Sequence, residues 1–409
     1  MMNHIWAAMI ILGILGSLSA CIFGEGSGNP LGDLLQEFLK SAETATDIVI
    51  GLTGMMCFWL GISRIMDASG LTARIAALLT PLFRVIMPEV PAGHPAIGSI
   101  TMNMAANMLG LDNAATPLGL RAMKELETLN PHPGVASNPE IMFLVINTSS
   151  VTIFPISVFL YRSKFGAADP VDIFLPVLMA TSCSTLAGFL AVAAFQKISL
   201  FRLPALLALG GLIGLVAGVF VWSLCAGTAM AAQASLAANG TVILFIGGLL
   251  TYGLLKRVKV YEEFIAGARD GFRVCIDILP YLVAMLTAVA FLRTGGVLSL
   301  LLSGIKEIVA KAGLSTDFVD ALPVAFMHPF SGGASRALML DVFNTSGVDS
   351  LTGHIAAVMQ GSTETTFYVL AVYFGSVGIV RVRHAVTCGL IADFAAMVAA
   401  IIIGTMFFG

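Results

Sequence analysis

The sequence has few charged residues: Asp, Glu, Lys and Arg make up 11% of the 409 residues, whereas 57% are apolar. Soluble globular domains carry roughly 25% charged residues, so this composition excludes an ordinary soluble protein. The net charge of −3 offers no basic surface to a nucleic acid, and we expect no nucleic-acid partner. What the chain has instead is a series of long apolar runs, which indicates an integral membrane protein.

Clustered metal ligands and nucleotide-binding loops are also missing. The six cysteines lie mostly within apolar stretches, without a C-x-x-C pair or a cluster of histidines, so we expect packed thiols, no metal site and no cofactor. The sequence has no G-x-x-x-x-G-K-[ST] loop, which argues against a primary pump. No spacing of Ser, His and Glu specifies a nucleophile with its base, so we expect neither an enzyme nor a catalytic residue.

No Lys or Arg precedes the first apolar run, although a secretory signal peptide begins with a basic segment. We therefore interpret this run as an uncleaved first span. Several of the runs are shorter than the ~20 residues that cross a bilayer, so we expect roughly eight to ten spans, some of them broken or re-entrant. The apolar runs are residues 5–23, 48–62, 141–160, 173–195, 206–225, 242–255, 276–291, 355–377 and 385–408.

Two similar polar runs interrupt this apolar background. Residues 147–154 read NTSSVTIF and residues 360–367 read QGSTETTF, so that Asn147 and Gln360 are equivalent positions. Polar groups at membrane depth must face protein, water or a ligand, and two such segments in matching positions are typical of a transporter site at the bilayer midplane. We predict an all-α polytopic protein with two homologous halves, residues 1–200 and 201–409, the second with an extra leading helix.

Each half also contains amphipathic segments, at residues 34–47 and 71–87 and at residues 260–273 and 297–312. Charges lie on one face and Leu, Ile, Val or Phe on the other, as in helices at a membrane interface. Packing over the protein's own cytoplasmic surface is an equally good interpretation. Neither interpretation assigns these segments any chemistry.

The candidate binding residues come from four polar segments. Asn103 and Asn107 are four apart and share one helix face, and residues 110–117 then interrupt the helix before Pro117, which suits the start of another. Such breaks expose backbone amides that favour anions and carbonyls that favour cations. The predicted substrate-binding residues are Asn103, Asn107, Asn113, Thr116, Asn147, Thr148, Ser149, Ser150, Thr152, Ser331, Ser335, Arg336, Gln360, Ser362, Thr363, Glu364 and Thr365.

Charged residues within the apolar background sharpen this prediction. Arg336 suits an anion or a carboxylate, and Glu364 and Asp393 are predicted ion-coupling residues, because a carboxylate at bilayer depth usually faces a cavity, a partner or an ion. Alternatives stay open: the amides could let helices pack, the hydroxyls could bond back to their own helix, and Arg336 could pair with Asp341 or Glu364. We interpret His328 as a structural histidine.

Longer motifs resemble two bacterial families. The segments at 59–64 (WLGISR), 113–123 (NAATPLGLRAM) and 147–152 (NTSSVT) resemble spore maturation protein A, whereas those at 253–261, 323–336 and 359–378 resemble spore maturation protein B. The chain thus resembles the fused A–B form of bacteria that do not sporulate. The resemblance implies two nucleoside recognition, or Gate-type, domains, a module shared with concentrative nucleoside transporters and ferrous iron transporters. In sporulating relatives it implies a role in spore core dehydration.

Two functions remain open. The first is a secondary transporter or channel in the bacterial inner membrane for a small polar or anionic solute, nucleoside-like solutes included, with proton or cation coupling as an option. The second is a non-transporting assembly or scaffold protein, which predicts that the polar side chains pair with each other and leave no cavity that water can enter. Lipid is the expected partner besides the solute, and a homo-oligomer is left open.

Overall fold

The computed structural model describes residues 2–23, 29–91, 93–109, 112–198, 203–226, 230–313 and 315–409. These residues form helices and loops, with one isolated bridge between Val135 and Arg381 and no strand among them. The first helices are α1 (Met2–Phe23), α2 (Pro30–Ala68), α3 (Leu71–Ile86), α4 (Pro95–Met108), α5 (Asp112–Glu127), α6 (Asn138–Thr148), α7 (Ile156–Lys164) and α8 (Phe174–Gln196). After them come α9 (Leu203–Ala226), α10 (Met230–Leu255), α11 (Val260–Thr294), α12 (Val297–Lys311), a short 3-10 helix (Val319–Ala321), α13 (Leu322–Met327), α14 (Gly332–Ser346), α15 (Leu351–Gly361), α16 (Thr366–Ser376) and α17 (Ala385–Phe408).

The order of the helices repeats along the chain. The series α2 to α8 corresponds in order to the series α11 to α17, while α1, α9 and α10 lie outside the repeat. Helices α6 and α15 have the same length, and α15 begins and ends 213 positions after α6. Gly70 and Gly296, 226 positions apart, precede α3 and α12 with the same φ of 76°, a conformation that glycine adopts without strain. The internal repeat is therefore present in the structure.

Equivalent helices pack against each other in opposite directions. Between α2 and α11, Glu37 pairs with Arg293 at 2.8 Å and Glu263 pairs with Arg64 at 3.0 Å. Glu37 and Glu263 are themselves equivalent, because they are 226 positions apart. The start of each helix thus lies beside the end of the other, with one ion pair at each end.

The pair formed by α8 and α17 has the same arrangement. The rings of Phe195 and His384 stack at 5.1 Å, and the Ser184 hydroxyl donates to the carbonyl of Ala392 at 3.1 Å. An axis that exchanges two antiparallel helices is perpendicular to both of them. All four helices are long and apolar enough to cross a membrane, and the antiparallel packing of each equivalent pair is the arrangement of inverted repeats.

Small residues allow α2 and α11 to cross closely. A Cβ atom on Gly267 would lie 2.3 Å from the carbonyl oxygen of Leu60, and one on Gly271 would lie 2.6 Å from that of Met56. No side chain fits at these two positions without moving backbone. Glycine at these positions therefore allows the backbones of α2 and α11 to approach each other closely, as small residues do in membrane helix packing.

Some helices are long and apolar enough to span a membrane on their own, and others are divided by the breaks. Among the described residues, five candidate spans lie at Pro30–Ala68, Phe174–Gln196, Gln233–Leu255, Val260–Thr294 and Ala385–Phe408. The expected eight to ten spans counted the apolar runs 141–160 and 355–377 as single segments, but each run is divided into two helices, α6 with α7 and α15 with α16. The broken helices that the polar runs predicted are thus confirmed.

Two local predictions were wrong. The amphipathic segments 34–47 and 260–273 are not separate helices, because they continue into the spanning parts of α2 and α11, whereas α3 and α12 are separate as expected. Pro117 was expected to begin the helix after the first break. That helix begins at Asp112 instead and contains Pro117 in its interior. Residues 110 and 111, the centre of that break, lie outside the described residues.

Candidate functional site

The interrupted helices of each repeat are joined at their breaks by backbone hydrogen bonds. In the first repeat the amide of Ile153, between α6 and α7, donates to the carbonyl of Met108 at the end of α4, at 2.8 Å. In the second repeat the amide of Phe367 in α16 donates to the carbonyl of Pro329, between α13 and α14, also at 2.8 Å. Each repeat therefore brings its two breaks together in the same way.

A third hydrogen bond joins the two repeats. The amide of Glu364, in the break between α15 and α16, donates to the carbonyl of Thr148 at the end of α6, at 2.7 Å. Thr148 and Gly361 are equivalent positions, so this contact lies close to the axis that relates the repeats. The two polar runs that the sequence singled out are therefore in direct contact.

A cavity of about 1030 Å³ opens beside these breaks. Its walls come from α1, α2, α4, α7, α11, α14, α15 and α16 and from the breaks themselves. It extends to charged residues of α2 and α11 such as Asp67 and Asp270. Eight of the predicted binding residues line it. They are Asn107, Thr152, Ser331, Arg336, Gln360, Thr363, Glu364 and Thr365.

Three polar atoms of residues that line this cavity are buried without a hydrogen-bond partner among the described residues: Asn107 Nδ2, His328 Nδ1 and Gln360 Oε1. Asn107 is 9% exposed and His328 is 4% exposed. In native proteins buried polar groups nearly always have a partner. These three atoms have almost no accessible surface, so they lie behind the cavity wall, whereas the side chains of Thr363 and Glu364 on the same wall are partly exposed or exposed.

The first turn of α14 also faces the cavity. Ser331 precedes this helix in extended conformation, and its Oγ accepts from the amide of Ala334 at 3.1 Å. Gly332 and Gly333 line the cavity at the start of the helix, where amides have no acceptor within the helix. One turn further along, the guanidinium of Arg336 lies 5.6 Å from the centre of the Tyr161 ring.

Asn103 and Asn147, two further predicted binding residues, pair with each other away from the cavity. Asn147 Nδ2 donates to Asn103 Oδ1 at 2.6 Å, and Asn103 Nδ2 donates to the carbonyl of Ala115 at 2.7 Å and lies 3.4 Å from the hydroxyl of Tyr373. The ring of Tyr373 stacks on Phe143 at 5.7 Å. This network ties α4, α5, α6 and α16 together in the interior of the protein.

Most of the remaining predicted hydroxyls bond to backbone. Ser149 Oγ donates to the carbonyl of Val145 at 2.8 Å, and Ser335 Oγ donates to that of Val324 at 2.7 Å. Thr148 and Ser362 also bond within their own helices, as the alternative interpretation had it. Ser150 is buried and Thr116 is half-buried, and neither lines the cavity. Asn113 lies at the start of α5, and its side chain is outside what the structure describes.

Asp393, a predicted ion-coupling residue, lies in α17 and contacts the first residue of α16, just after the break between α15 and α16. Its Oδ2 accepts from the hydroxyl of Thr366 at 2.8 Å, and its Oδ1 is buried without a partner among the described residues. Thr366 is two residues after Glu364, which lines the cavity. Thr366 is therefore near Glu364 in the chain and bonded to Asp393, but only Glu364 belongs to the cavity wall.

A second charged cluster lies outside the cavity. The buried guanidinium of Arg162 reaches the carboxylates of Asp172 at 3.0 Å and Asp349 at 3.2 Å and the His354 ring at 3.2 Å. Asp172, Asp349 and His354 stand close enough to share a metal ion. Arg162 already supplies the positive charge at their centre, so the cluster is built as an ion-pair network that links the repeats.

The sequence matches the Gate family, described as nucleoside recognition, over residues 49–168 and 275–380, together more than half of the chain. The two matched regions are parts of the two repeats and include all four breaks. The chain belongs to the Gate family. All eight predicted residues that line the cavity fall inside the Gate regions, whereas Asp393 falls outside them.

Two curated relatives of this Gate protein come from Bacillus subtilis (strain 168). Spore maturation protein B is 42% identical over 166 residues, which are 41% of this chain and 92% of the relative. Spore maturation protein A is 36% identical over 184 residues, which are 45% of this chain and 90% of the relative. Each relative thus aligns over nearly its whole length with less than half of this chain, and the resemblance to a fused A–B protein is confirmed. No solved structure matches the chain.

Sequence reasoning missed several residues of the Gate cavity. His328 was interpreted as structural; it is buried and also belongs to the residues that line the cavity. Tyr161 and Tyr368 also line it, and their signal is an aromatic hydroxyl one or two turns after a polar break. Gly332 and Gly333 contribute backbone rather than side chain, and the Ser-Gly-Gly sequence next to Pro329 was the signal for them.

Proposed function

We propose that this Gate protein is a secondary transporter or channel for a small polar solute, with the cavity between the broken helices as its binding site. The observation that carries the proposal is the cavity of about 1030 Å³, which is lined by eight of the polar residues that the sequence predicted. Cavities of 300 to 1,000 Å³ with a few placed polar groups are the common form of small-molecule sites. Inverted repeats with broken helices around a central site are typical of secondary transporters.

The scaffold alternative accounts for a different part of the molecule. It expects the polar groups to pair with one another, as Asn103 and Asn147 do at 2.6 Å. It does not account for Asn107, His328 and Gln360, which are not arranged in such pairs and which line a cavity. The transport proposal therefore rests on the residues that line the cavity and not on the pair of Asn103 and Asn147.

The family description, nucleoside recognition, supports a polar solute with several hydrogen-bonding groups. An amide nitrogen, an amide oxygen and an imidazole nitrogen would suit a nucleoside, but they also suit other small polar metabolites. We therefore propose the class of solute, and include nucleosides as one member to be tested.

The direct test is uptake into liposomes that contain the purified full-length protein. A panel of uridine, succinate and alanine would be compared with empty liposomes. Asn107→Leu and Gln360→Leu remove the polar atoms at nearly constant size, and each should slow uptake roughly tenfold, because a lost hydrogen bond in a buried site costs about 1–3 kcal/mol. Thr251→Val is the matched control, since Thr251 is exposed on α10 and bonds only to its own helix at 2.8 Å.

Two outcomes of this test differ in meaning. Uptake of at least one solute, lost in the cavity variants and kept in Thr251→Val, supports transport. Uptake no faster than in empty liposomes for the whole panel, with the cavity variants altered only in stability, favours the scaffold alternative.

Ion coupling is part of the proposal. Glu364 lines the cavity, so a proton or cation bound there would lie near the solute. Asp393 is the second candidate, because it accepts a hydrogen bond from Thr366, two residues after Glu364, at 2.8 Å. Uptake driven by an imposed proton gradient should be lost in Glu364→Gln if that carboxylate is the coupling site, and in Asp393→Asn if that one is. Uptake that is independent of pH and unchanged in both variants would contradict coupling through these residues.

We further propose that the chain lies in the bacterial inner membrane with lipid as its main partner. Helix α9 exposes Leu203, Leu207 and Val221 on its outer surface, and α10 exposes Leu244. Lipid would cover these side chains. A homo-oligomer would cover the same surface, and the mass of the particle extracted into lipid nanodiscs distinguishes one copy from several.

A further inference from the structure

Helix α10 ends at the membrane surface in a cluster of positive charges. Its candidate span stops at Leu255, and Lys256, Arg257 and Lys259 follow within the next four residues. All three cations are exposed. Cations directly after a span lie at the level of the lipid headgroups, where an anionic leaflet attracts them.

An aromatic ring brings a further cation to this place from another helix. The guanidinium of Arg74, in α3, lies 5.1 Å from the centre of the Tyr252 ring, and Nζ of Lys256 lies 5.9 Å from the same centre. Both distances are within the range in which the face of a ring attracts a cation. Two cations from separate helices are therefore held beside one ring.

No carboxylate neutralises these two cations within the described part of the chain. Lys259 pairs with Glu262 at 3.1 Å, whereas neither Arg74 nor Lys256 takes part in an ion pair among the described residues. Two neighbouring cations repel each other, and an anion between them reverses the sign of the interaction. The pair is thus complementary to an anion from outside the chain.

Apolar side chains next to these cations indicate what kind of anion fits. Leu244, Leu254 and Leu255 are exposed on α10, and their spacing places them on one side of the helix. On α3, Leu78 is 80% exposed and follows Arg74 by one turn. A free anion would leave these leucines uncovered, whereas the acyl chains of a phospholipid would cover them.

The cations belong to one side of the membrane. The start of α10 lies beside the loop before α8, because Asn239 Nδ2 donates to Asp169 Oδ2 at 2.9 Å. These two candidate spans therefore run in the same direction, and the cations that follow them, Lys197 and Lys256, lie on the same side. Short loops rich in Lys and Arg are typical of the cytoplasmic side, so the cations face the cytoplasmic leaflet.

The second repeat offers a comparison within the same molecule. Helix α12 is the counterpart of α3, and the position equivalent to Arg74, 226 residues further on, is Leu300. The cations of α12, Lys306 and Lys311, already pair with carboxylates at 2.8 and 2.7 Å. Inverted repeats place α3 and α12 at opposite faces of the membrane, so we expect the anion site in one leaflet only.

We propose that Arg74 and Lys256, held beside the Tyr252 ring, bind the phosphate group of an anionic phospholipid in the cytoplasmic leaflet. The acyl chains of this lipid lie over Leu78 and the exposed side of α10. The inference goes beyond the proposed function, because it holds whether or not the cavity transports a solute.

A fluorescent probe at Leu78 tests the place where the lipid lies. Leu78→Cys, made in a chain whose six native cysteines are replaced, is labelled with bimane, and the full-length protein is placed in phosphatidylcholine nanodiscs. Phospholipids with brominated acyl chains quench the probe on contact. Anionic brominated phosphatidylglycerol is compared with zwitterionic brominated phosphatidylcholine. Leu300→Cys, exposed on α12, is the matched control position for the probe.

At Leu78 we expect phosphatidylglycerol to associate roughly 25-fold more strongly than phosphatidylcholine, about fivefold for each of the two cations. At Leu300 we expect no preference. Arg74→Gln and Lys256→Gln should each lower the preference about fivefold, the double variant should abolish it, and Arg74→Lys should keep it because the charge remains. Lys311→Gln is the charge control and should leave the preference unchanged. A melting curve recorded for every variant identifies those that remain folded.

Three results would overturn the site. They are equal quenching by the two lipids at Leu78, which a second copy of the chain on this surface would also produce, an equal preference at Leu300, and a preference that survives in the double variant. Excess inorganic phosphate at constant ionic strength distinguishes a lipid from a free anion. A preference that phosphate leaves unchanged supports the lipid, whereas one that phosphate removes would assign the site to a soluble anion and contradict the proposal.

Discussion

The two polar runs, residues 147–154 and 360–367, occupy equivalent places in the two repeats but satisfy their polar groups differently. Asn147 donates to Asn103 at 2.6 Å inside the protein. Its counterpart Gln360 lines the cavity, and its Oε1 has no partner in the described part of the chain. A duplicated segment has thus become a packing element in one repeat and a candidate binding element in the other.

The helix that precedes each break explains this difference. In the first repeat α4 has 14 residues and carries Asn103, which meets Asn147 from the neighbouring helix. In the second repeat α13 has 6 residues, LPVAFM, and contains no amide side chain. Gln360 therefore has no amide to pair with from that helix.

Arg162 extends the comparison to the polar group that is most completely enclosed by protein. Its fully buried guanidinium holds the carboxylates of Asp172 and Asp349 and so links the two repeats. Removing one member of a buried ion pair leaves the other charges uncompensated and costs about 3–5 kcal/mol. Arg162→Leu should therefore lower the free energy of unfolding by about that amount, measured by denaturant titration in mixed micelles.

The control for this prediction is Arg121→Leu, because Arg121 is exposed and its loss should change the free energy of unfolding by less than about 0.5 kcal/mol. Equal effects of the two variants would show that the Arg162 cluster does not hold the repeats together.

Asn147 is expected to have the next largest effect. Asn147→Ala leaves Asn103 Oδ1 without its donor, and a buried group that loses its partner costs about 1–3 kcal/mol. The free energy of unfolding in mixed micelles should fall by this amount. The double variant with Asn103→Ala should be less destabilised than the sum of the two single variants, because the partners are removed together. Strict additivity would mean that the two amides are not coupled.

Gln360, the counterpart of Asn147, is expected to affect uptake more than stability. Gln360→Ala removes a side chain that has no partner at Oε1 among the described residues, so the free energy of unfolding should change by less than about 0.5 kcal/mol. Uptake in liposomes should nevertheless fall roughly tenfold if the amide contacts the solute. A variant that is strongly destabilised but transports normally would reverse the roles that we assign to Gln360 and Asn147.

Part of this architecture could be predicted from the sequence. The low charge content and the apolar runs indicated a helical membrane protein, and the match between the two polar runs indicated the repeat. The polar runs also located two of the four breaks, and Ser331-Gly332-Gly333 and the segment after Asn107 indicated the other two. These features are local, so a linear pattern is sufficient to reveal them.

What the sequence could not decide was which polar groups face the cavity. Asn103 and Asn107 share a helix face by spacing, but Asn103 pairs with Asn147 while Asn107 lines the cavity. The difference depends on which helix lies opposite each residue, and that information is tertiary. The inversion of the repeats was also undecided, because it follows from the antiparallel packing of α2 with α11 and of α8 with α17.

The central claim is that equivalent residues of the two polar runs differ in their access to water, and thiol labelling tests it directly. Ser150 and Thr363 are equivalent positions: Ser150 is 4% exposed and lies outside the cavity, whereas Thr363 lines it. Ser150→Cys and Thr363→Cys would be made in a chain whose six native cysteines are replaced, and treated in membranes with a charged, water-soluble methanethiosulfonate. We predict rapid labelling of the Thr363→Cys protein and no labelling of the Ser150→Cys protein before unfolding. Equal labelling of the two variants, or none of either, would contradict the account.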